Sequence, residues 1–270
     1  MSIDCHIHLF KKGRSAIPNA RHTPSYDAEL SDVTALAADV GVTKFVLVQT
    51  SFMGTDNDYL MQHLHQFPDR LRGVFILAAS TSREQLRQLK SEGVVGIRLN
   101  LFKTNLASTL SDAHLGLIER CSLEGLSVGL HDDAARLLVI LDRIGGRASH
   151  LVVDHFGRPE SLPLSQDDPG YDKLLERLVI ENSYVKISAP YRAPAMNPER
   201  AYQKLRQALG EDKLLWASDW PWTQNEKSLT YAQWANPFPA PENGGLGSCQ
   251  TLAERLVKNA KTFYGFDSIG

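Results

Sequence analysis

Eight short runs rich in Val, Ile and Leu alternate with amphipathic helical stretches from one end of this chain to the other. The runs lie at about residues 1–10, 44–49, 73–77, 94–100, 126–131, 150–155, 184–188 and 214–219. Between them, the spacing of apolar residues predicts helices at 26–40, 57–67, 82–93, 112–124, 134–144, 171–181 and 198–209, with an eighth at 248–264. Local signals agree with these limits. Ser82 and Gln85 form a capping box, Gly41, Gly93 and Gly125 stop helices, and Pro68 follows one. Each β-then-α unit takes roughly thirty residues, the size of one crossover repeat. Eight such units close an α/β architecture, the (β/α)8 TIM barrel. An open doubly wound sheet is the other arrangement, but no Gly-rich phosphate loop follows the first strand. The 270 residues suit one domain spanning 1–270, since neither a linker nor an internal repeat divides them.

Charge and composition narrow the classes of partner. A formal net charge of -2 and a pI near 6.5 offer nothing to nucleic acid or an anionic membrane. No apolar run reaches the roughly 18–20 residues of a membrane span, and no basic-then-apolar leader precedes the first strand. Cys5, Cys121 and Cys249 are odd in number, far apart and free of zinc-type spacing. A reduced, cytoplasmic setting is expected. Neither a coiled coil nor a dimerisation stretch is visible, so the oligomeric state stays open.

The first strand carries the strongest chemical signal. Alternation places Asp4, His6 and His8 on one face and Ile3, Cys5, Ile7 and Leu9 on the other. Burying two imidazoles and a carboxylate is costly unless they form a site. Barrels of this class carry their chemistry at the C-terminal strand ends, and those ends are polar here. His8 ends strand one, Gln49, Thr50 and Ser51 strand two, Arg98 and Asn100 strand four, His131 strand five, His155 strand six, Ser188 strand seven and Asp219 strand eight. Arg98 suits a carboxylate, which a guanidinium binds as a fork. His131 is open to three roles: ligand, substrate contact or hydrogen-bonded edge residue. Asp4 reads as a structural acceptor. His22, His63, His65 and His114 fall on helices or loops, and His150 begins strand six, so all five read as structural. Trp216, Trp220 and Trp222 read as part core, part pocket wall.

Three motifs in order carry a resemblance: Asp4-Cys5-His6-Ile7-His8, Val153-Asp154-His155-Phe156-Gly157-Arg158-Pro159 and Ser218-Asp219-Trp220-Pro221. Together they are similar to the amidohydrolase superfamily, and more closely to its branch of 2-pyrone-4,6-dicarboxylate hydrolases and related lactonases. Gly96-Ile97-Arg98-Leu99-Asn100, Val185-Lys186-Ile187-Ser188 and the tail 259–265 fit the same branch. The resemblance spans the chain and implies a distorted TIM barrel that opens a small carboxylated cyclic ester. It implies Asp219 as the base that activates water. It implies His6, His8 and His155 as groups that polarise the ring carbonyl and steady the oxyanion. Arg98 would hold a substrate carboxylate, Ser51 would assist, and Arg192 is a second carboxylate candidate. Thr104 stands where the branch carries a further Arg, so Lys103 is the candidate substitute.

The branch implies no required metal. The competing expectation is a mononuclear metal enzyme, either a hydrolase or an aromatic-acid decarboxylase, with one Zn or Mn ion held by His6, His8, His131 and Asp219. A barrel kept for binding alone ranks third.

Overall fold

The computed structural model describes residues 2–14, 16–18, 20–164, 166–227, 230–235 and 251–266. Its elements follow in chain order: β1 (Ser2–Ile7), α1 (Leu30–Ala38), β2 (Val42–Val48), α2 (Asp58–Gln66), β3 (Leu71–Phe75), α3 (Arg83–Ser91), β4 (Val94–Asn100), α4 (Leu106–Thr109) and α5 (Asp112–Leu123). Then come β5 (Ser127–His131), α6 (Ala134–Ile144), β6 (Leu151–Val153), α7 (Pro169–Ile180), β7 (Tyr184–Ile187), α8 (Pro198–Leu209), β8 (Leu214–Trp216), α9 (Tyr231–Ala235), α10 (Leu252–Arg255) and α11 (Val257–Tyr264). The eight strands pair in parallel in the order β1 to β8. Two backbone bonds just past the strands join the edges: His8 N–H to Trp220 O and Asp219 N–H to His6 O, both 2.9 Å. The expected TIM barrel is therefore nearly closed, and its seam lies beside His6, His8 and Asp219.

Two apolar layers sort the side chains. Strand residues such as Phe45, Leu47, Ile97, Val128, Leu130, Val153 and Ile187 pack outward with the helices. Ile3, Cys5, Val46, Val48, Val74, Val152, Leu215 and Ala217 come from strands on opposite sides of the sheet and meet one another inside it, with Ala260, Tyr264 and Phe266 as a floor. That floor closes the N-terminal ends of the strands, where Arg72 donates to Gly265 O (2.9 Å) and stacks over Phe266. His150 lies at this end, its ring edge on Phe263.

The strict alternation expected for β1 is overturned. Ile3 and Cys5 belong to the inner layer, whereas Ile7 and Leu9 belong to the outer one. The β1–β2 register shifts between Asp4 and Ile7. Such an irregularity re-aims the side chains that follow it. Asp4 thus turns outward, and His6 and His8 reach the barrel interior.

Most limits agree with the sequence to within a few residues, as helix ends permit. The Ser82–Gln85 capping box is formed. The loop expected over 221–247 contains α9, because Trp234 packs its indole N–H on Ala217 O (2.7 Å) and Tyr231 bonds Asp4. The rest of that loop, from 236, lies outside the described residues. So do Cys249 and the start of the final helix, which is two pieces, α10 and α11, in its described part. All three Trp near β8 are core, and none lines the cavity at the mouth. Among the described residues no helix is long and apolar enough to cross a membrane.

Candidate active site

Asp219 follows β8 and is fully buried. Its two oxygens have different surroundings. Oδ2 accepts hydrogen bonds from Tyr191 OH (2.6 Å) and from Nε of Arg192 (2.8 Å), whose second nitrogen also lies 2.8 Å away. Oδ1 has no hydrogen-bond partner among the described residues. It faces Nε2 of His6 and Nε2 of His8, each at 3.5 Å, and Nε2 of His155 at 3.8 Å. One oxygen is anchored while the other looks into a ring of imidazoles. Burial opposes ionisation of this carboxyl, but the Arg192 guanidinium outweighs it and holds it well below the usual carboxylate range.

The imidazoles are neutral at ordinary pH. Burial pushes His155 down to about 3 and lowers His6, His8 and His131 as well. Nδ1 of His8 lies 2.7 Å from Val48 O. A carbonyl only accepts, so the His8 proton sits on Nδ1 and Nε2 is bare. Nδ1 of His155 meets Ser188 Oγ at 2.8 Å, and its buried Nε2 has no partner among the described residues. His155 and Asp219 both adopt left-handed backbone, with φ of 56° and 61°. Non-glycine residues hold that conformation at a cost, and such cost concentrates at functional sites.

Two further charged groups stand behind His6. Lys186 Nζ lies 3.1 Å from His6 Nδ1 and 3.2 Å from Asp154 Oδ1, and all three residues are buried. Arg98, also buried, lies 3.6 Å from Asp154 and donates to Gln49 O (3.0 Å). Burial opposes a charged Asp154, yet the Lys186 ammonium holds its carboxyl well below its ordinary value.

Above this centre lies a cavity of about 270 Å³. Arg21, Arg98, Lys103, Arg158 and Arg192 line it, together with Ser51 and His131, and none of its described lining residues is acidic. Arg21 bonds Phe102 O (2.7 Å) and Asn100 Oδ1 (3.3 Å), and Arg158 stacks on the Phe102 ring. A cavity with this balance suits an anion.

Ligand-type atoms of His6, His155 and Asp219 lie within 4.8 Å of one another, and His8 Nε2 lies 3.3 Å from His6 Nε2 and 3.5 Å from Asp219 Oδ1. The ion-holding set expected from the sequence, His6, His8, His131 and Asp219, did not include His155. The turn after the short β6 brings His155 inward, and the His131 ring packs against its far side (centroids 5.0 Å apart), with Nδ1 on Asn100 (3.2 Å). Two imidazoles and a carboxylate are a suitable donor set for a zinc-like ion with an open fourth position. The partnerless Nε2 of His155 and Oδ1 of Asp219 fit such an ion.

The amidohydrolase family model matches residues 3–266, nearly the whole chain. The chain belongs to the amidohydrolase family. Among its relatives is 2-pyrone-4,6-dicarboxylate hydrolase of Comamonas testosteroni, 28% identical over 82% of this chain and 76% of that protein. Another is 4-sulfomuconolactone hydrolase of Rhizobium radiobacter, 27% identical over 90% of this chain and 80% of that one. A crystal structure from Pseudomonas putida, described as a 2-pyrone-4,6-dicarboxylic acid hydrolase, superposes with a TM-score of 0.82. It is 30% identical, with 98% of both chains covered. The named relatives of this amidohydrolase are thus lactone hydrolases.

The structure brings His6, His8, His155 and Asp219 together and sets Arg98, Ser51, His131, Arg192 and Lys103 around the cavity above them. Arg192 stands there as the partner of Asp219. Sequence reasoning missed Lys186, Asp154, Tyr191, Arg21 and Arg158. A signal existed for Lys186, which alternates with Ser188 on one strand face, and for Asp154 and Arg158, which lie inside a quoted motif. Arg21 had none, because its position depends on how the loop after β1 folds back. The same fold-back puts His22, expected to be structural, at the cavity wall. His63 and His114 bond within their own helices' turns, to Tyr59 O and Ser111, and His65 meets Glu92 at the end of α3, all away from the cavity.

Asp4 is the tie beneath the site. Its Oδ1 accepts from His6 N–H (3.1 Å) and Ser218 N–H (2.9 Å), and its Oδ2 from Tyr231 OH (2.7 Å). It links β1 across the seam to the chain after β8 and to α9. Asp4→Ala strands three buried donors and is expected to cost about 3 kcal/mol, read as a lower urea midpoint with an unchanged slope.

Proposed function

We propose that this amidohydrolase opens a small carboxylated lactone, of the 2-pyrone-4,6-dicarboxylate or muconolactone kind, by adding water to the ring ester. The observation that carries this reading is the bare Oδ1 of Asp219, facing three neutral imidazoles beneath a cavity whose described lining carries cations and no acid. The named relatives act on substrates of this class.

In this reading a water sits between Oδ1 of Asp219 and the bare Nε2 of His8. Asp219 takes a proton as the water oxygen bonds the ring carbonyl carbon. His6 and His155 donate to the oxyanion that forms. The ring C–O bond then breaks, and the expelled oxygen recovers a proton. The product is a new carboxylate, and net one proton is released near neutral pH. Arg98 and Arg192 receive a substrate carboxylate. Arg21, Arg158 and Lys103 supply the second anion site that Thr104 cannot. Ser51 and His131 contact the ring from the cavity wall. No resident cofactor is required, and the cytoplasm is the expected setting.

The test is proton release from chelator-treated protein given 2-pyrone-4,6-dicarboxylate, a sulfonated muconolactone and an uncharged lactone. Turnover of an anionic lactone with little of the uncharged one is expected. No turnover of any lactone would remove the proposal.

The convergence of His6, His155 and Asp219 supports a second reading, a mononuclear metal hydrolase or decarboxylase. An ion held by these three would act as a Lewis acid and lower the pKa of a water. Elemental analysis decides it: one equivalent of Zn or Mn, with activity lost on removal and regained on return, would favour this reading over the first.

A further inference from the structure

We propose that Lys186 is a positioning residue: by donating to Nδ1 of His6 it keeps the ring proton on Nε2, so that His6 stands as a hydrogen-bond donor at the reacting centre. Nδ1 of His6 has two neighbours of opposite kind, the Lys186 ammonium at 3.1 Å and Asp154 Oδ1 at 3.3 Å. An ammonium has only hydrogens to offer and a carboxylate only lone pairs. The first neighbour puts the proton on Nε2, the second on Nδ1.

The surroundings of the other ring nitrogen are compatible with the tautomer that Lys186 selects. Nε2 of His6 lies 3.3 Å from Nε2 of His8, which is bare because the His8 proton is committed to Val48 O. Two bare nitrogens at that distance would oppose their lone pairs. Asp219 Oδ1, at 3.5 Å, is another acceptor beside the same atom. A proton on Nε2 removes that opposition, and Nδ1 is then the acceptor that Lys186 needs. Asp154 does not depend on the His6 proton, because Lys186 and Arg98 already lie 3.2 and 3.6 Å from it.

The result is a chain of one polarity: Lys186 Nζ to His6 Nδ1, His6 Nε2 to His8 Nε2, His8 Nδ1 to Val48 O. Both ends are fixed by groups that can play only one part. The two histidines of the first strand therefore differ in role. His6 is the donor, suited to an oxyanion, and His8 presents a lone pair, which becomes free for a water hydrogen when the His6 proton turns to the oxyanion. A cation on Nε2 of His6 would first require that nitrogen to give up its proton, with Nδ1 turning to Asp154. Lys186 thus biases the centre toward the donor role. The catalytic consequence rests on the lactonase reading, whereas the tautomer does not.

The test is two-bond proton–nitrogen NMR correlation of ring-labelled histidine in the metal-free protein, with His6 assigned by loss of its signals in His6→Gln. In the wild type His6 should show a protonated Nε2 and an unprotonated Nδ1. Lys186→Met should move the proton to Nδ1, facing Asp154. It should also lower kcat on an anionic lactone by about 10- to 100-fold with KM little changed. Lys186→Arg, which keeps a donor, should keep the wild-type tautomer and recover most of kcat. A wild-type His6 protonated on Nδ1, or a Met variant with the wild-type tautomer, overturns the proposal. If the Met variant does not fold, the wild-type and Arg spectra still decide. The stated tautomer in a protein without lactone turnover would sink the activity and leave the Lys186 assignment standing.

Discussion

Asp219→Asn is expected to lower kcat about 10³-fold or more on any lactone the enzyme opens, through loss of its base. The amide keeps the shape of the carboxylate and still offers an oxygen to Tyr191 and Arg192, which now hold Oδ2 at 2.6 and 2.8 Å. It removes the lone pairs and charge at the oxygen facing the three imidazoles. The loss of charge relieves a buried carboxylate of its desolvation, and Arg192, one-fifth exposed, can turn toward solvent. These changes offset each other, so the melting temperature should stay within about 3 °C of the wild type. Steady-state kinetics and a thermal melt on the same preparation check both halves. A variant that melts far lower yet keeps turnover would make Asp219 a structural anchor.

Arg192→Gln should have the next largest effect. The guanidinium grips Asp219 in the free protein and also lines the cavity where a substrate carboxylate would sit. Removing it should raise KM about 10- to 100-fold, the worth of a charge-assisted contact. It should also shift the pH profile. Arg192 holds the folded-state pKa of Asp219 below its ordinary value, so the base stays ionised and active far into acid. Without the cation that pKa rises, and the acid limb of kcat/KM moves to higher pH. The histidines add no limb near neutrality, because burial holds them neutral there. A raised KM with an unmoved acid limb would detach Arg192 from Asp219 in solution. An unchanged KM would remove it from substrate binding.

The barrel was legible because its signals are periodic. Parallel strands are bridged by helices of fixed size, and the apolar spacing, caps and stops fall at the same places. The polar strand ends then located His6, His8, Arg98, His131, His155 and Asp219 without any contact being known. What escaped depended on three-dimensional detail. The register shift in β1 sends Asp4 outward and Cys5 inward, against simple alternation, and no residue type marks it. The turn after β6 brings His155 into reach of His6 and Asp219. Arg21 reaches the cavity through a loop, and loop paths are set by what they pack on. Lys186 was visible as a lysine on an inward strand face, yet its meaning needed the two distances to His6 and Asp154.

The central claim is that this chain adds water to a ring ester without a resident metal. Mass spectrometry of the product formed by chelator-treated protein in ¹⁸O-labelled water tests it most directly, with 2-pyrone-4,6-dicarboxylate as substrate. The expected result is an opened product carrying one heavy oxygen, located in the carboxylate made from the ring carbonyl. A product formed without the label, by isomerisation or loss of carbon dioxide, would contradict the account, as would turnover that appears only when a divalent metal is restored.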